Sequence, residues 1–155
     1  MHVHRLEKIW LTFGIVMLAV FLTVLGLMTF SMGIAPPTGH AQIDPTKVNE
    51  TAPFDNPGLH EVGDGVYEAV MTAFTFGYNP PNMEVPVGST VHFTITSSDV
   101  VHGFEIPGTN INMMVVPGEV NHASHTFDKP GEYLVLCNEY CGIAHEMMMT
   151  KIIVK

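Results

Sequence analysis

The sequence predicts a small antiparallel β-sandwich or barrel tethered by one N-terminal transmembrane helix. Three features lead to that class. One uncharged apolar run stands near the N-terminus. Beyond it, short runs with strand character recur about every ten residues, parted by Gly, Pro and Asp, and no convincing amphipathic helix interrupts them. At 155 residues the chain has room for one folded domain beside the helix.

The helix comes first. From Ile9 to Ile43 there is no Asp, Glu, Lys or Arg. The segment IWLTFGIVMLAVFLTVLGLMTF would span about 33 Å at helical rise, enough to cross the hydrocarbon core of a bilayer. It is longer than the apolar region of a signal peptide, and no A-x-A-like cleavage site follows. A soluble helix apolar all round needs a larger protein to bury it. Arg5 and Lys8 precede the run and the next basic residue is Lys47, so the positive-inside tendency places 1–8 in the cytoplasm, 9–32 across the cell membrane and the rest outside. The outer part carries four lysines against fourteen acids, a net charge of −10. That charge repels nucleic acid and suits either a basic partner or simple solubility.

Residues 33–62 are rich in Pro, Gly and Asn without an apolar period, and are predicted to form an extended linker. The domain is then expected over 63–155. VYEAVMTAFTF (66–76), TVHFTITS (90–97), VNHASHTF (120–127), YLVLC (133–137) and the closing TKIIVK read as strands. In the second, Val91, Phe93 and Ile95 fall on one face and Thr94 and Thr96 on the other.

The stretch CNEYCGIAHEMM (137–148) concentrates the reactive residues in one loop between two strands. A Cys137–Cys141 disulfide would close a very small ring, stabilise little, and leave His145 and the methionines without a role. Zinc suits thiolate and imidazole, but a thioether is a poor zinc ligand and a good copper one. Met147 and Met149 are expected to fill the core. Two thiolates can bridge two copper ions, each completed by one histidine and one weak ligand, giving an electron carrier with no open position for substrate. A second histidine must come from elsewhere. His40 and His60 fall in the linker, and His92 lies within a strand on the face opposite Val91 and Phe93. His102, in SSDVVHGFEIPG, follows a strand at a change of direction; His125, sharing strand parity with Phe127, is its rival.

CNEYCGIAHEMM fits the pattern C-x-E-x-C-x-x-x-H-x-x-M, and VHGF fits an upstream histidine motif. Together with the helix and linker they resemble subunit II of the haem–copper cytochrome c oxidases, whose external domain carries a dinuclear copper A centre. The resemblance implies an all-β cupredoxin-like Greek-key sandwich. It implies Cys137 and Cys141 as bridging thiolates, His102 with Met148 completing one copper, and His145 with the backbone carbonyl of Glu139 completing the other. It also implies a subunit that takes electrons from a c-type cytochrome or a small copper protein and passes them to haem in subunit I, where oxygen is reduced and protons are moved. The single helix, the short chain and AFTFGYNPPNMEVPVGS look most like the B-family branch.

The commoner branch carries a W-x-W-x-Y segment, whereas the only Trp here is Trp10. Phe74, Phe76 and Tyr78 stand in the corresponding stretch, and Phe76 or an apolar patch over the copper loop is the expected electron-input point. By the same resemblance the Glu139 side chain is a candidate magnesium ligand at the junction with subunit I. Glu7, in RLEKIW, is a candidate for proton uptake. The alternatives are the copper A subunit of a nitric oxide reductase, or a membrane-tethered protein that stores or delivers copper.

Overall fold

The computed structural model describes residues 4–32 and 41–155, so positions 1–3 and the first part of the expected linker, 33–40, lie outside it. The N-terminal unit is one helix, α1 (Arg5–Met32), four residues longer at its start than the expected span. Nothing in it is buried by protein. It is long and apolar enough to cross a membrane. Thr12 and Thr23 return their hydroxyls to the carbonyls of Lys8 and Ala19, both at 2.8 Å, which removes two exposed donors from an apolar surface.

The second unit is a two-sheet sandwich. Its strands are β1 (Gly58–Gly63), β2 (Val66–Phe74), β3 (Gly77–Asn79), β4 (Asn82–Val85), β5 (Thr90–Ser97), β6 (His102–Glu105), β7 (Asn112–Val115), β8 (Asn121–Thr126), β9 (Gly131–Leu136) and β10 (Met149–Val154). One sheet runs β1-β2-β5-β8 with β3 also on β2; the other runs β4-β10-β9-β6-β7. Each sheet contains one parallel pair, β2 with β5 and β4 with β10, so the sandwich is mixed where the sequence predicted antiparallel strands throughout. The alternation in a strand shows which face is buried but not the direction of its neighbour.

The core lies between the sheets. Ala69, Met71 and Ala73 of β2 and Val91, Phe93 and Ile95 of β5 face Phe104, Val115, Val135 and Ile152 from the other sheet. Strand period 2 accounts for this: each strand alternates toward and away from the interior.

The expected linker boundary at 62 is corrected by two features. β1 is a member of the first sheet, pairing antiparallel with β2 from Gly58↔Val70 onward. Before it, a strap over 41–57 is folded onto the outer face of the same sheet. Ile43, Val48 and Phe54 bury themselves there against Val70 and Val120. Asp44 caps a short 3-10 turn (Pro45–Glu50) by accepting from the Thr46 backbone N–H at 3.0 Å, and Pro45 sits where its missing N–H is harmless. Backbone bonds from Ile43 to Gly118 and from Val120 to Ala41 stitch the strap to the chain before β8.

Candidate metal centre

β9 and β10 hold the ends of the cysteine loop. Their ladder runs to Leu136↔Met149, and the Cys137 N–H donates to the Met148 carbonyl at 3.2 Å. The loop between is tightened by a 3-10 turn (His145–Met147). Held this way, the side chains of Cys137, Cys141, His145 and Met148 converge.

Cys137 Sγ and Cys141 Sγ lie 3.8 Å apart, too far for a bond of about 2.05 Å, and both cysteines are free. Around Cys137 Sγ stand the Glu139 carbonyl oxygen at 3.1 Å and His102 Nδ1 at 4.0 Å. Around Cys141 Sγ stand His145 Nδ1 at 3.5 Å and Met148 Sδ at 3.5 Å. The donor atoms of His102, Cys137 and Cys141 all lie within 4.8 Å of one another. All six residues predicted to hold metal therefore meet at one end of the sandwich. The rival, His125, is not among them: its Nδ1 is 2.6 Å from Asn110 Oδ1 and its ring stands edge-on to Phe127.

The site is largely shielded from solvent. His102 is 0% exposed, and Met148 and both cysteines are buried. Burial, reinforced by the Cys137 thiol beside it, pushes the Cys141 thiol up to about 11. Two sulfurs, two imidazoles, a thioether and a carbonyl form a soft donor set that fits copper and does not fit magnesium or calcium.

Two residues outside the predicted set shape the centre. Asp99 accepts from His102 Nε2 at 2.8 Å, leaving Nδ1 to face the sulfur. Burial opposes its charge, but the hydrogen bonds from His102, from the Thr75 N–H and hydroxyl and from the Val100 N–H prevail and hold its carboxyl down at about 2. Gly103 donates its N–H to Cys137 Sγ at 3.3 Å and its carbonyl accepts from the Tyr78 hydroxyl at 2.6 Å. A Cβ at Gly103 would meet the backbone nitrogens of Asn138 and Glu139 at 2.6 and 2.9 Å, so only glycine lets β6 lie this close to the loop.

Phe76 is half-buried with its ring against Gly142, which has φ +133° and could not carry a Cβ without pressing on that ring at 3.0 Å. Around the loop the surface is apolar: Ile143 is 90% exposed, Met147 69%, and Tyr140 and Met149 also face outward. Met147 and Met149 are thus rim residues rather than the core fillers the sequence predicted. The loop turns them out because Met148 takes the inward position. Glu7 lies exposed in the first turn of α1.

A buried, soft donor set at the end of a mixed β-sandwich, in a chain that also carries a membrane-length helix, defines a membrane-anchored copper domain of the cupredoxin type. A family model for the periplasmic domain of cytochrome c oxidase subunit II matches residues 79–155. Cytochrome c oxidase subunit 2 of Thermus thermophilus is 43% identical over 153 residues, covering 96% of this chain and 91% of the relative. A chain of a haem–copper terminal oxidase dimer solved by cryo-EM superposes with a TM-score of 0.79 at 34% identity, covering 97% of this chain and all of that one. The periplasmic domain of subunit II from Bradyrhizobium japonicum shares the fold, with a TM-score of 0.53 at 21% identity over 57% of this chain and 83% of that one. The chain belongs to the cytochrome c oxidase subunit II family.

Proposed function

We propose that this chain is the electron-input subunit of a terminal haem–copper oxidase, most like the B-family branch. It takes electrons outside the membrane from a c-type cytochrome or a small copper protein and hands them to haem in subunit I for oxygen reduction coupled to proton movement. The observation that carries this reading is the pair of buried sulfurs 3.8 Å apart, each flanked by an imidazole nitrogen. One-copper blue sites need a single thiolate; a second at this distance suits a dinuclear centre. Cys137 and Cys141 would bridge, His102 and Met148 would serve one copper, and His145 and the Glu139 carbonyl the other. Bound there, copper supplies a one-electron couple shared over two metals and two sulfurs.

The protein's own part is to hold that donor set still and largely shielded from solvent. Asp99 fixes the His102 ring, Gly103 donates to Cys137, and the β9–β10 ladder pins both loop ends. His145 is only half-buried beside the apolar rim of Tyr140, Ile143 and Met147, which suits a donor docking through apolar contact. Phe76, against Gly142, is the neighbouring aromatic input point. The N-terminus lies in the cytoplasm and the copper domain on the outer side, as the flanking charges suggest.

Two carboxylates extend the reading. Glu139 offers an oxygen to magnesium at the junction with subunit I, and a Glu139→Gln oxidase that keeps its full metal content removes that role. Glu7 marks proton uptake at the cytoplasmic end of α1, and unchanged turnover of a Glu7→Ala oxidase removes that one.

The test is to purify the chain with its subunit I and supply reduced cytochrome c. Rapid oxygen uptake is expected. Turnover of nitric oxide in its place would make the chain the input subunit of a nitric oxide reductase, and readily exchanged copper without turnover would make it a copper carrier.

A further inference from the structure

The close approach that requires glycine at position 103 also leaves a residue with little of its own to hold it, since glycine is the most conformationally free residue. β7 supports one edge of β6 through the register Gly103↔Met114. On the other edge β9 reaches β6 at Glu105↔Leu136, and Cys137 then leaves the strand. Continued antiparallel register would set Gly103 opposite Asn138, inside the cysteine loop. There both of its polar groups are met by side chains. Its N–H donates to Cys137 Sγ at 3.3 Å, and its carbonyl accepts from the Tyr78 hydroxyl at 2.6 Å. A carbonyl only accepts, so the proton of the second bond is the phenol's.

Tyr78 is built to act as a fixed post. It stands on β3 opposite Ala73 of β2, in the first sheet, whereas Gly103 belongs to the second. Its side chain therefore crosses the core from one sheet to the other. It is 3% exposed, and its ring stands edge-on to Phe104 with centroids 5.7 Å apart and planes at 80°. Phe104 packs in turn on Phe93 at 5.4 Å. A tyrosine side chain has few torsions, and rings packed in this way fix them, so the hydroxyl is held where the Gly103 carbonyl meets it.

From this geometry we infer that Tyr78 is a positioning residue for the copper couple: by holding the Gly103 carbonyl it keeps the N–H of the same residue on Cys137 Sγ. Its consequence for the couple rests on the electron-input reading; the positioning itself does not. A hydrogen bond donated to a thiolate draws electron density from the sulfur, weakens its donation to the metal and favours the reduced form. Without the phenol the glycine shifts, the N–H···S bond lengthens, and bound copper becomes harder to reduce. A hydroxyl on the first sheet thus adjusts the electron affinity of a centre carried by the second.

The test uses the full chain in detergent with Tyr78→Phe, which keeps the ring against Phe104 and removes the hydroxyl alone. In the copper-free chain, amide hydrogen exchange at Gly103, read by nuclear magnetic resonance, should quicken several-fold while the amides of β2 and β5 stay as they were. In the copper-loaded chain the copper content should be unchanged. At equilibrium with a fixed ferricyanide–ferrocyanide mixture, the ratio of reduced to oxidised copper should fall several-fold. Tyr133→Phe, whose lost hydroxyl bonds the Lys129 carbonyl beyond the opposite end of β9, should alter neither readout. An unchanged Gly103 exchange rate, an unchanged ratio at full copper content, or loss of the fold in Tyr78→Phe would overturn the inference. A wild-type chain that takes up one copper or none would overturn the electron-input reading instead, and Gly103 exchange would still decide the role of Tyr78.

Discussion

Two irregular segments lie against the sandwich, and different forces hold them. The cysteine loop is fixed at both ends by the β9–β10 ladder and from within by hydrogen bonds to sulfur, while its rim of Ile143 and Met147 stays in water. The strap over 41–57 reverses this. Its polar residues face solvent, and it is held by Ile43, Val48 and Phe54 buried against Val70 and Val120. One segment buries its chemistry, Cys137, Cys141 and Met148, at the edge of the core beneath an exposed apolar rim; the other supplies burial and no chemistry. Changes in the loop should therefore alter metal and electron transfer while sparing the fold, and changes in the strap should do the opposite.

The widest separation is expected from Cys137→Ser. Copper bound at the centre should be lost altogether, with the β-rich circular dichroism spectrum and the thermal midpoint of the metal-free chain hardly moved. A collapse of the fold would show that the loop carries stability as well. Phe54→Ala is the reciprocal change. Truncating a fully buried Phe should cost about 3–5 kcal/mol in denaturant unfolding, while the copper stoichiometry of the folded fraction stays the same.

Asp99→Asn probes the link between loop and sheet more finely. Loss of the charged acceptor at His102 Nε2 should weaken copper binding about 10- to 100-fold in a competition titration. Restoration by Asp99→Glu would assign the effect to the carboxylate. Smallest is Ile143→Asp, a charge placed in the apolar rim. It should slow electron uptake from the donor several-fold in stopped-flow mixing and leave copper content and spectrum as they were.

The same contrast explains what could be read from the chain. The loop was legible because its chemistry resides in residue type and spacing: Cys137, Cys141, His145 and Met148 announce a soft site wherever the chain folds. Strand faces such as Val91, Phe93 and Ile95 were legible from period 2. The strap was not, because Ile43, Val48 and Phe54 follow no period and are buried only through tertiary partners on β2 and ahead of β8. Asp99 was visible three residues before His102, yet its role depends on the chain turning after β5 to bring the carboxylate under Nε2. Met147 and Met149 were misplaced because methionine serves core and surface alike, and only the turn before β10 decides which way each one points.

At the centre of this account stand two sulfurs shared by two copper ions. Loading the full-length chain with copper and recording its metal content with its electron paramagnetic resonance spectrum tests that sharing directly. Two coppers per chain, with one unpaired electron split equally by both nuclei, is the predicted result. One copper per chain with the electron on a single nucleus, or a Cys137–Cys141 disulfide that excludes copper in the working complex, would contradict it.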